Sequence, residues 1–420
     1  MRVLYFHQHF STRSGATGTR SYEVARRLVA RGHEVVMVCG ALSNGSSGLS
    51  GPFRRGRREG LVDGIRVIEF AVPYSNSQGF LKRVQVFLSF IVSASGVAMR
   101  EKYDLAFATS TPLTVGIPGV LARWLRRKPF VFEVRDLWPE LPRAMGVIRS
   151  RLLLRLLDML EWVCYHSAHA CVGLSPGVSE GIRKRGIPAA RVTTIPNGCD
   201  LDLFRPAAAV RHEPIEGISD DDFVAAFTGT HGAANGLDAV LDAAAELQRE
   251  GQAGIKLLFV GQGREKDRLR ERAVREGLNN CVFAEPMPKQ ALAQLLGGRV
   301  DVGLMILANV PAFYYGTSPN KFFDYLASGL PVLANYPGWM AEMIEQQQIG
   351  AVIPPGDAPA FAAALCELAS DRPRLEEMGG RAREFARRFD RDELVDQLIA
   401  VLERTAGPAG QVFHEASVSK

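Results

Sequence analysis

The chain has 420 residues, 47% of them hydrophobic and 23% charged, which is the composition of a globular protein with two or three domains. Its charge is uneven: residues 1–200 contain 28 Lys and Arg and 14 Asp and Glu, whereas residues 201–420 contain 22 and 31. A basic first half favours an anionic partner, either nucleic acid or the inner leaflet of a membrane. No nucleic-acid module is recognisable among the basic residues, so we expect no nucleic-acid partner.

The six cysteines form no CxxC pair and no metal-like cluster, and most lie in apolar sequence, as buried free thiols do in a reducing cytosol. We therefore expect no metal centre. The longest apolar stretch, 84–99, is interrupted by polar residues and is shorter than the roughly 20 residues that span a bilayer. We expect neither an export signal nor a transmembrane helix.

Apolar runs alternate with amphipathic helical runs through the first half, which predicts an α/β unit with a parallel sheet. Strands are predicted at 2–6, 34–39, 65–71, 104–108, 130–134, 170–174 and 192–195, with a helix at 22–31 between the first two. The loop before that helix contains Gly15, whose backbone can approach a phosphate, although tight turns also need glycine for structural reasons.

Three segments depart from the alternation. Residues 43–60 are rich in Gly and Ser, carry four Arg and are predicted to form a solvated loop, with phosphate or headgroup binding as the alternative. Residues 80–103 and 121–128 combine apolar and basic side chains. Both can be core-packed helices or can dock on a membrane surface.

The turn after the strand 130–134 concentrates charge. Arg135 can neutralise a phosphate, and Asp136 can orient an acceptor hydroxyl or relay its proton. The alternative is an internal Arg–Asp pair that holds the turn. His7 and His9 follow the first strand without a metal partner, and we interpret them as hydrogen-bonded polar side chains rather than ligands.

A second Rossmann-like unit follows the segment 196–222, which is predicted to be a linker because it is rich in Pro, Gly and acidic residues. Its strands are predicted at 223–228, 255–260, 302–307, 332–334 and 351–353. The loops after the first two can present backbone groups to a diphosphate, or can be ordinary tight turns. The candidate residues in them are Gly229, Thr230, Gly232, Asn235, Gly261 and Gly263.

The stretch 318–333 predicts a cap, a helix and a buried strand in succession. Ser318 suits the N-cap, and Pro319 suits the first helical position. The start of a helix favours an anion, and Lys321 adds a cation there. Asp324, about one turn further on, can accept hydrogen bonds from two sugar hydroxyls. Phosphate beside hydroxyls indicates a nucleotide sugar, and an ordinary capped helix is the alternative.

Five motifs in order cover nearly the whole chain: RGHEV at 31–35, VRDLWPE at 134–140, IPNGCD at 195–200 with FRP at 204–206, VGQG at 260–263, and PNKFFDYLASGLPV at 319–332. Together they resemble the retaining glycosyltransferase family 4, and within it the WbuB-like branch. The resemblance places Asn320 in the donor site with Asp324, and implies catalytic roles for Arg135, Asp136 and Lys321.

The resemblance also implies the GT-B fold, in which two Rossmann-like domains face each other across a cleft. These domains would be 1–205 and 206–379, with a helix at 380–404 returning to the first and a disordered tail at 405–420. Transfer would retain the anomeric configuration and use a nucleoside-diphosphate sugar, with UDP favoured, and no metal or other cofactor. The family pattern has an acidic residue eight positions before Asp324, where this chain has Gly316.

Members of the WbuB-like branch are associated with adding sugars, such as an N-acetylated fucosamine, to lipid-linked bacterial surface glycans. We therefore expect a polyprenyl-diphosphate-linked glycan acceptor and a cytoplasmic protein that binds the anionic inner face of the plasma membrane peripherally. The alternatives are a GT-B transferase that acts on a soluble acceptor and a catalytically silent protein that binds a nucleotide sugar.

Overall fold

The computed structural model describes residues 1–43, 45–75, 78–204 and 215–407. The contacts between Cα atoms divide the chain into two compact units. Unit 1 consists of Met1–Pro196, Gly316–Ser318 and Asp392–Lys420, and unit 2 consists of Asn197–Tyr315 and Pro319–Arg391.

The described part of unit 1 contains a sheet of eight strands: β1 Arg2–Phe6, β2 Glu34–Leu42, β3 Arg57–Val62, β4 Ile65–Tyr74, β5 Leu105–Thr109, β6 Phe130–Val134, β7 Ala170–Gly173 and β8 Val192–Thr194. Their order is β3-β4-β2-β1-β5-β6-β7-β8, and only β3 and β4 run antiparallel to each other. In β1 the side chains of Val3, Leu4, Tyr5 and Phe6 are all fully buried, as expected for a strand covered on both faces.

The helices that follow these strands are α1 Arg20–Ala30, α2 Phe80–Arg100, α3 Gly116–Leu125, α4 Glu140–Ala144, α5 Arg151–Ser167 and α6 Pro176–Lys184. Phe90 and Ala94 of α2 share a hydrophobic core with Phe6 and Phe132 of the sheet. The helix α3 packs against both α2 and α5. These three helices therefore form one continuous layer.

Unit 2 contains a parallel sheet in the order β11-β10-β9-β12-β13-β14. After β11, at one edge, the chain crosses to the other side of β9 and continues with β12. Its strands are β9 Phe223–Thr228, β10 Ile255–Val260, β11 Cys281–Ala284, β12 Val302–Met305, β13 Val332–Ala334 and β14 Gly350–Val352. Its helices are α7 Asp238–Arg249, α8 Lys266–Arg275, α9 Lys289–Arg299, α10 Pro311–Tyr314, α11 Asn320–Ser328, α12 Trp339–Gln347, α13 Ala358–Ser370 and α14 Arg372–Ala386.

The last helix, α15 Arg391–Ala406, joins unit 1 from Asp392 onward. Asp396 on this helix accepts two hydrogen bonds of 2.8 Å from Arg27 of α1 and lies 2.9 Å from Arg31. Glu403 lies 2.9 Å from His33. The end of the described chain is thus held to the first helix by charged side chains.

The unit boundaries differ from the predicted domain boundaries. The amide of Cys199 donates to the carbonyl oxygen of Phe389 at 3.0 Å, and Arg391 binds Asp200 at 2.6 Å. These contacts place residues 197–204 and 380–391 in unit 2, and the helix that returns to unit 1 begins at Arg391 instead of 380. The central part of the predicted linker, 205–214, and most of the predicted tail, 408–420, lie outside the described residues.

The prediction of a solvated loop at 43–60 needs correction at its C-terminal end. Residues 57–62 form β3, whose only neighbour in the described sheet is β4. Arg58 donates to the buried carboxylate of Glu69 at 2.6 Å. The strand was missed because an edge strand with one solvated face carries the charged and glycine residues that indicate a loop.

Candidate functional site

Two glycine loops meet at the carboxyl ends of β9 and β10 in unit 2. A Cβ atom added at Gly261, where φ is +148°, would lie 1.9 Å from the carbonyl oxygen of Gly229. One added at Gly263 would lie 2.2 Å from the carbonyl oxygen of His231. The close contact between the two loops therefore requires glycine at both positions. This agrees with the alternative given above, in which the glycines have a structural role in tight turns.

The amides of these loops are largely used within the protein. Gly229 donates to the carbonyl oxygen of Val260 at 2.9 Å, and Gly232 donates to that of Thr230 at 3.0 Å. In unit 1, Gly15 donates to the carbonyl oxygen of Thr12 at 3.1 Å. That the amides of Gly15 and Gly232 bind a diphosphate stays a prediction, and a bound diphosphate would have to share or replace these internal hydrogen bonds. Their conformations serve turns whose hydrogen bonds are internal.

Thr230 and Asn235 shape the first loop of unit 2. The side-chain amide of Asn235 donates to the carbonyl oxygen of Thr230 at 2.7 Å. This bond closes the loop across its width. Both residues thus fix the loop conformation.

The helix α11 starts one residue later than predicted. Pro319 occupies the N-cap position with extended backbone, and Asn320 is the first helical residue, so the N-cap lies one residue after the predicted Ser318. Gly329 ends the helix in the left-handed conformation, with φ of +73°. Since Pro319 has no N–H group, the orphan amides of the first turn belong to residues from Asn320 onward.

Lys321, the second residue of α11, carries the most unusual charge of unit 2. Its Nζ atom is enclosed by protein, lies 3.5 Å from the centre of the Phe227 ring, and has no hydrogen-bond partner among the described residues. A Cβ atom at Gly229 would lie 3.2 Å from this nitrogen, which therefore sits beside the first glycine loop. Burial lowers the pKa of the Lys321 amine well below its usual value.

His231 lies in the same loop, and its importance was not predicted from the sequence. It is fully buried, and neither ring nitrogen has a hydrogen-bond partner among the residues that the structure describes. Burial, assisted by Lys266 and Lys321, lowers the pKa of His231 to about 4. The imidazole is therefore neutral near pH 7 and can donate or accept one hydrogen bond at each nitrogen.

Asp324 lies within a buried cluster of four charges. Its Oδ1 atom is 3.5 Å from the Nζ atom of Lys289, which in turn is 2.6 Å from Asp200. Arg391 donates to the other oxygen of Asp200 at 2.6 Å. Burial raises the pKa of Asp324, and the two cations oppose that rise without reversing it. The carboxylate predicted to meet a ribose is thus held near Lys289.

Lys289 is a site residue that the sequence analysis missed. It begins α9 directly after Pro288, where a cation opposes the helix dipole. The carboxylate of Asp200, 2.6 Å from Nζ, balances its charge. No local signal identifies that partner, which lies 89 residues away in sequence.

In unit 1, Arg135 and Asp136 are not paired with each other as the structural alternative proposed. The guanidinium of Arg135 donates to Thr109 at 2.9 Å and to Ser21 at 2.8 Å, while Asp136 accepts from Thr111 at 3.0 Å. Burial raises the pKa of Asp136. A carboxylate with a raised pKa is a better proton acceptor than an ordinary Asp.

A buried ion pair between Arg20 and Glu133 lies beside the turn that begins at Arg135. Glu133 accepts from Arg20 at 2.8 Å, and neither side chain is exposed. Burial would raise the pKa of Glu133, but Arg20 and Arg135 outweigh it and lower that pKa. Arg20 also donates to the carbonyl oxygen of Pro196 at 2.7 Å, so it joins the start of α1 to the segment that follows β8.

The two histidines after β1 differ from their prediction. His7 Nδ1 and His9 Nε2 are buried and have no hydrogen-bond partner in the described part of the chain. The ring of His9 stacks on Tyr74, with 4.3 Å between ring centres. Burial lowers the pKa of both imidazoles, so they are neutral polar groups. Within the described residues no group of three or more His, Cys, Asp or Glu is placed to hold a metal ion.

Solved structures with the same fold define the class of protein. Sucrose-phosphate synthase of Thermosynechococcus elongatus matches 100% of both chains with a TM-score of 0.73 at 18% identity. HepE of Anabaena, solved with UDP and glucose, matches 96% of this chain and 99% of its own, with a TM-score of 0.67 at 18% identity. The chain has the fold of a GT-B glycosyltransferase, which confirms the predicted fold class.

The family follows from the sequence matches. The model of the glycosyl transferase 4-like domain matches residues 15–198, and the model named glycosyl transferases group 1 matches residues 222–371. The chain belongs to glycosyltransferase family 4. The resemblance to this family, which was based on the five motifs, is therefore confirmed.

Curated relatives agree with this family. A D-inositol 3-phosphate glycosyltransferase of Nocardia farcinica is 31% identical over 47% of this chain and 44% of its own length. The glycosyltransferase WbjE of Pseudomonas aeruginosa is 25% identical over 71% of this chain and 75% of its own. The chain spans about half the length of the first of these relatives.

Proposed function

We propose that the protein transfers a sugar, with retention of anomeric configuration, from a UDP-sugar to a lipid-linked glycan in bacterial surface polysaccharide synthesis. The observation that carries the proposal is the enclosed side-chain nitrogen of Lys321, which lies beside the glycine loop of unit 2 and has no hydrogen-bond partner in the part of the chain that the structure describes. Burying a cation without a partner is costly, so such a group persists where a ligand supplies the opposite charge. A diphosphate at the start of α11 has that charge.

UDP is proposed as the nucleotide because HepE, which has the same fold, was solved with UDP and with UDP-glucose. Asp324 is proposed to accept hydrogen bonds from ribose hydroxyls, with Lys289 holding its carboxylate in place. His231 adds neutral hydrogen-bonding groups to the same loop. The residues that would hold the donor are therefore Asn320, Lys321, Asp324 and the loop that begins at Gly229.

The proposed chemistry is a front-side displacement that needs no metal or other cofactor. The acceptor oxygen bonds to the anomeric carbon as the bond from that carbon to the diphosphate breaks, and Asp136 is proposed to accept the acceptor proton and relay it to the departing diphosphate. Lys321 and the first-turn amides of α11 would stabilise the departing charge, and such stabilisation is worth about 3 kcal/mol per good donor. Arg135 and Asp136 are proposed to serve the acceptor side.

The acceptor, the cellular location and the WbuB-like branch are proposals drawn from the motifs. The name of the relative WbjE is consistent with glycan synthesis but identifies no acceptor. Peripheral docking on an anionic inner membrane is supported by the basic, apolar helices α2 and α3 of unit 1. A silent nucleotide-sugar-binding protein is the second candidate, because Gly316 stands where the family pattern has an acidic residue.

The test is calorimetric titration with UDP, GDP, ADP and CMP, followed by hydrolysis and transfer assays with the matching sugar nucleotides. We expect saturable UDP binding that Lys321→Met weakens about tenfold to a hundredfold, the usual range for losing a charged hydrogen bond. The matched control is Lys256→Met, at the amino end of β10 in the same unit. Binding of none of these nucleotides would contradict the proposal, and UDP binding without turnover would favour the silent protein.

A further inference from the structure

Exposed apolar side chains are concentrated on one layer of unit 1. The large hydrophobic residues that are well exposed on α2, α3 and α5 are Leu81, Leu88, Val92, Met99, Trp124, Leu125, Leu152, Leu156, Met159 and Trp162. In the described part of unit 2 the exposed large hydrophobics are Val274 and Tyr315. Scattered single residues are normal on a protein surface, whereas ten on three adjacent helices form a patch that indicates an interaction site.

On α2 the exposed residues form a stripe. Leu81, Leu88, Val92 and Met99 are separated by seven, four and seven positions, which places them on one side of a helix. The opposite side is buried in the core of unit 1 through residues such as Phe90. Among the described helices, Leu81–Arg100 alone is long and apolar enough to cross a membrane, but its core-facing side makes it a surface helix here.

The helix α5 carries a second stripe that the sequence analysis did not single out. Leu152, Leu156, Met159 and Trp162 are separated by four, three and three positions, and Leu152 and Trp162 are 68% and 52% exposed. Ser150 caps the helix by accepting from the amide of Leu153. This exposed apolar side is therefore presented by a well-formed helix and not by a frayed segment.

The stripes belong to one surface because α3 packs against both α2 and α5. The indole nitrogen of Trp124 on α3 donates to the hydroxyl of Ser167 at the end of α5, at 2.9 Å. Trp124 is 61% exposed, so its ring lies at the outer edge of the layer. Indole rings with a polar anchor at one end are enriched at membrane–water interfaces.

The charges around the stripes are positive. The basic residues on or directly after these helices are Lys82, Arg83, Arg100, Arg123, Arg126, Arg127, Lys128, Arg151 and Arg155. The acidic residues of α5 are already neutralised: Asp158 binds Arg143 and Arg185, and the buried Glu161 binds Arg185 at 2.6 Å. Neither α2 nor α3 contains an Asp or Glu, and Glu101, directly after α2, binds Arg66 at 2.8 Å.

We propose that α5 is a membrane-binding helix and that the stripes of α2, α3 and α5 together insert into the interface of an anionic bilayer. The inference deepens the membrane part of the proposed function and does not depend on nucleotide chemistry. Anionic headgroups complement the basic rim, and the apolar stripes supply the inserted surface. A second copy of the chain is the less favourable occupant, since a two-fold contact would bring the same basic rims together.

The experiment is flotation with vesicles of phosphatidylcholine alone and of phosphatidylcholine with phosphatidylglycerol, at low and high salt. The variant Leu156→Glu/Met159→Glu changes only exposed positions of α5, and Val274→Glu, at an 83% exposed site in unit 2, is the matched control. We expect the α5 variant to lower partitioning into anionic vesicles at least about tenfold, because two apolar contacts are lost. The control should bind as the wild type does.

A second readout places α5 in the lipid directly. Brominated acyl chains should quench the fluorescence of the wild type in anionic vesicles, and Trp162→Phe should remove part of that quenching while leaving flotation largely unchanged. Undiminished flotation of the α5 variant would overturn the inference, as would a concentration-dependent dimer that only this variant abolishes. UDP titration of the same variants separates the membrane-binding proposal from the proposed UDP-sugar site. A variant that loses lipid binding but still binds UDP has lost only the membrane contact of α5.

Discussion

The Nζ atom of Lys321 lies 3.5 Å from the centre of the Phe227 ring. Such a cation–π contact is worth about 2 kcal/mol only while the nitrogen is charged, and burial already lowers the pKa of Lys321, so the contact does not offset the cost of enclosing this nitrogen without a hydrogen bond. We therefore expect Lys321→Met to raise the free energy of unfolding of the ligand-free protein by about 1–3 kcal/mol. Urea unfolding measures this. A loss of stability in Lys321→Met would show that the ammonium is already compensated.

Proton uptake on UDP binding is the second prediction. Burial lowers the pKa of Lys321 in the free protein, and a bound diphosphate would raise it, so the complex binds more protons. UDP affinity should consequently fall as the pH rises from the free-state pKa towards the bound-state pKa. Calorimetry at about pH 8 in two buffers of different ionisation enthalpy detects this uptake. Equal enthalpies in both buffers would contradict it, and Lys321→Met should show that equality.

Gly261 offers a test of the loop contact. An alanine there would place Cβ 1.9 Å from the carbonyl oxygen of Gly229, so one loop must move. We expect Gly261→Ala to cost about 3 kcal/mol of stability and to weaken UDP binding. The control is Gly254→Ala, because a Cβ atom at Gly254 meets no atom within 4 Å. Equal free energies of unfolding for the two variants would show that the close approach of the loops does not contribute to stability.

The buried charge cluster predicts a pH-dependent stability. Burial would raise the pKa of Asp200, but Arg391 and Lys289 outweigh it and lower that pKa to about 2. A carboxylate with a lowered folded-state pKa stabilises the fold above its unfolded pKa of about 3.9, and that contribution is lost as the pH falls towards 2. Asp200→Asn should therefore cost about 2–3 kcal/mol at neutral pH, with the difference from wild type narrowing below about pH 4. If the difference in free energy of unfolding between Asp200→Asn and wild type stays constant down to pH 2, the interaction of Asp200 with Lys289 and Arg391 is weak.

Asp136 is expected to act in the chemical step. Asp136→Asn keeps an oxygen for the Thr111 hydroxyl but cannot accept the proton of a substrate hydroxyl. We expect kcat to fall about 10²–10⁴-fold, the usual contribution of a general base, while the affinity for UDP stays the same. Steady-state kinetics with UDP titration separate the two effects. Unchanged kcat would restrict Asp136 to a structural role in the turn.

The strands and α11 were predictable because their signals are local. Continuous apolar runs such as Arg2–Phe6 and Phe223–Thr228 indicated buried parallel strands, and both strands have those bounds in the structure. Lys321 was selected from its place at a helix start, which is also a local property. These features depend on neighbours within one or two helical turns.

The features that were missed depend on distant partners. The amide of Gly229 donates to the carbonyl oxygen of Val260 at the end of the neighbouring strand, and glycine spacing does not specify that partner. The position of Asp324 is set by Lys289 and Asp200, which lie on other segments. The exposed stripe of α5 could not be told from a core-packed stripe, because both have the same helical period.

The ion pairs between α1 and α15 have a consequence for the order of synthesis. Arg27 and Arg31 cannot form their ion pairs with Asp396 until that residue has been synthesised. The ribosome makes all of residues 197–391 before it reaches that aspartate. Unit 2 is thus translated as an insertion between two parts of unit 1. A nascent chain can begin to fold unit 1 first, yet it must complete that unit last.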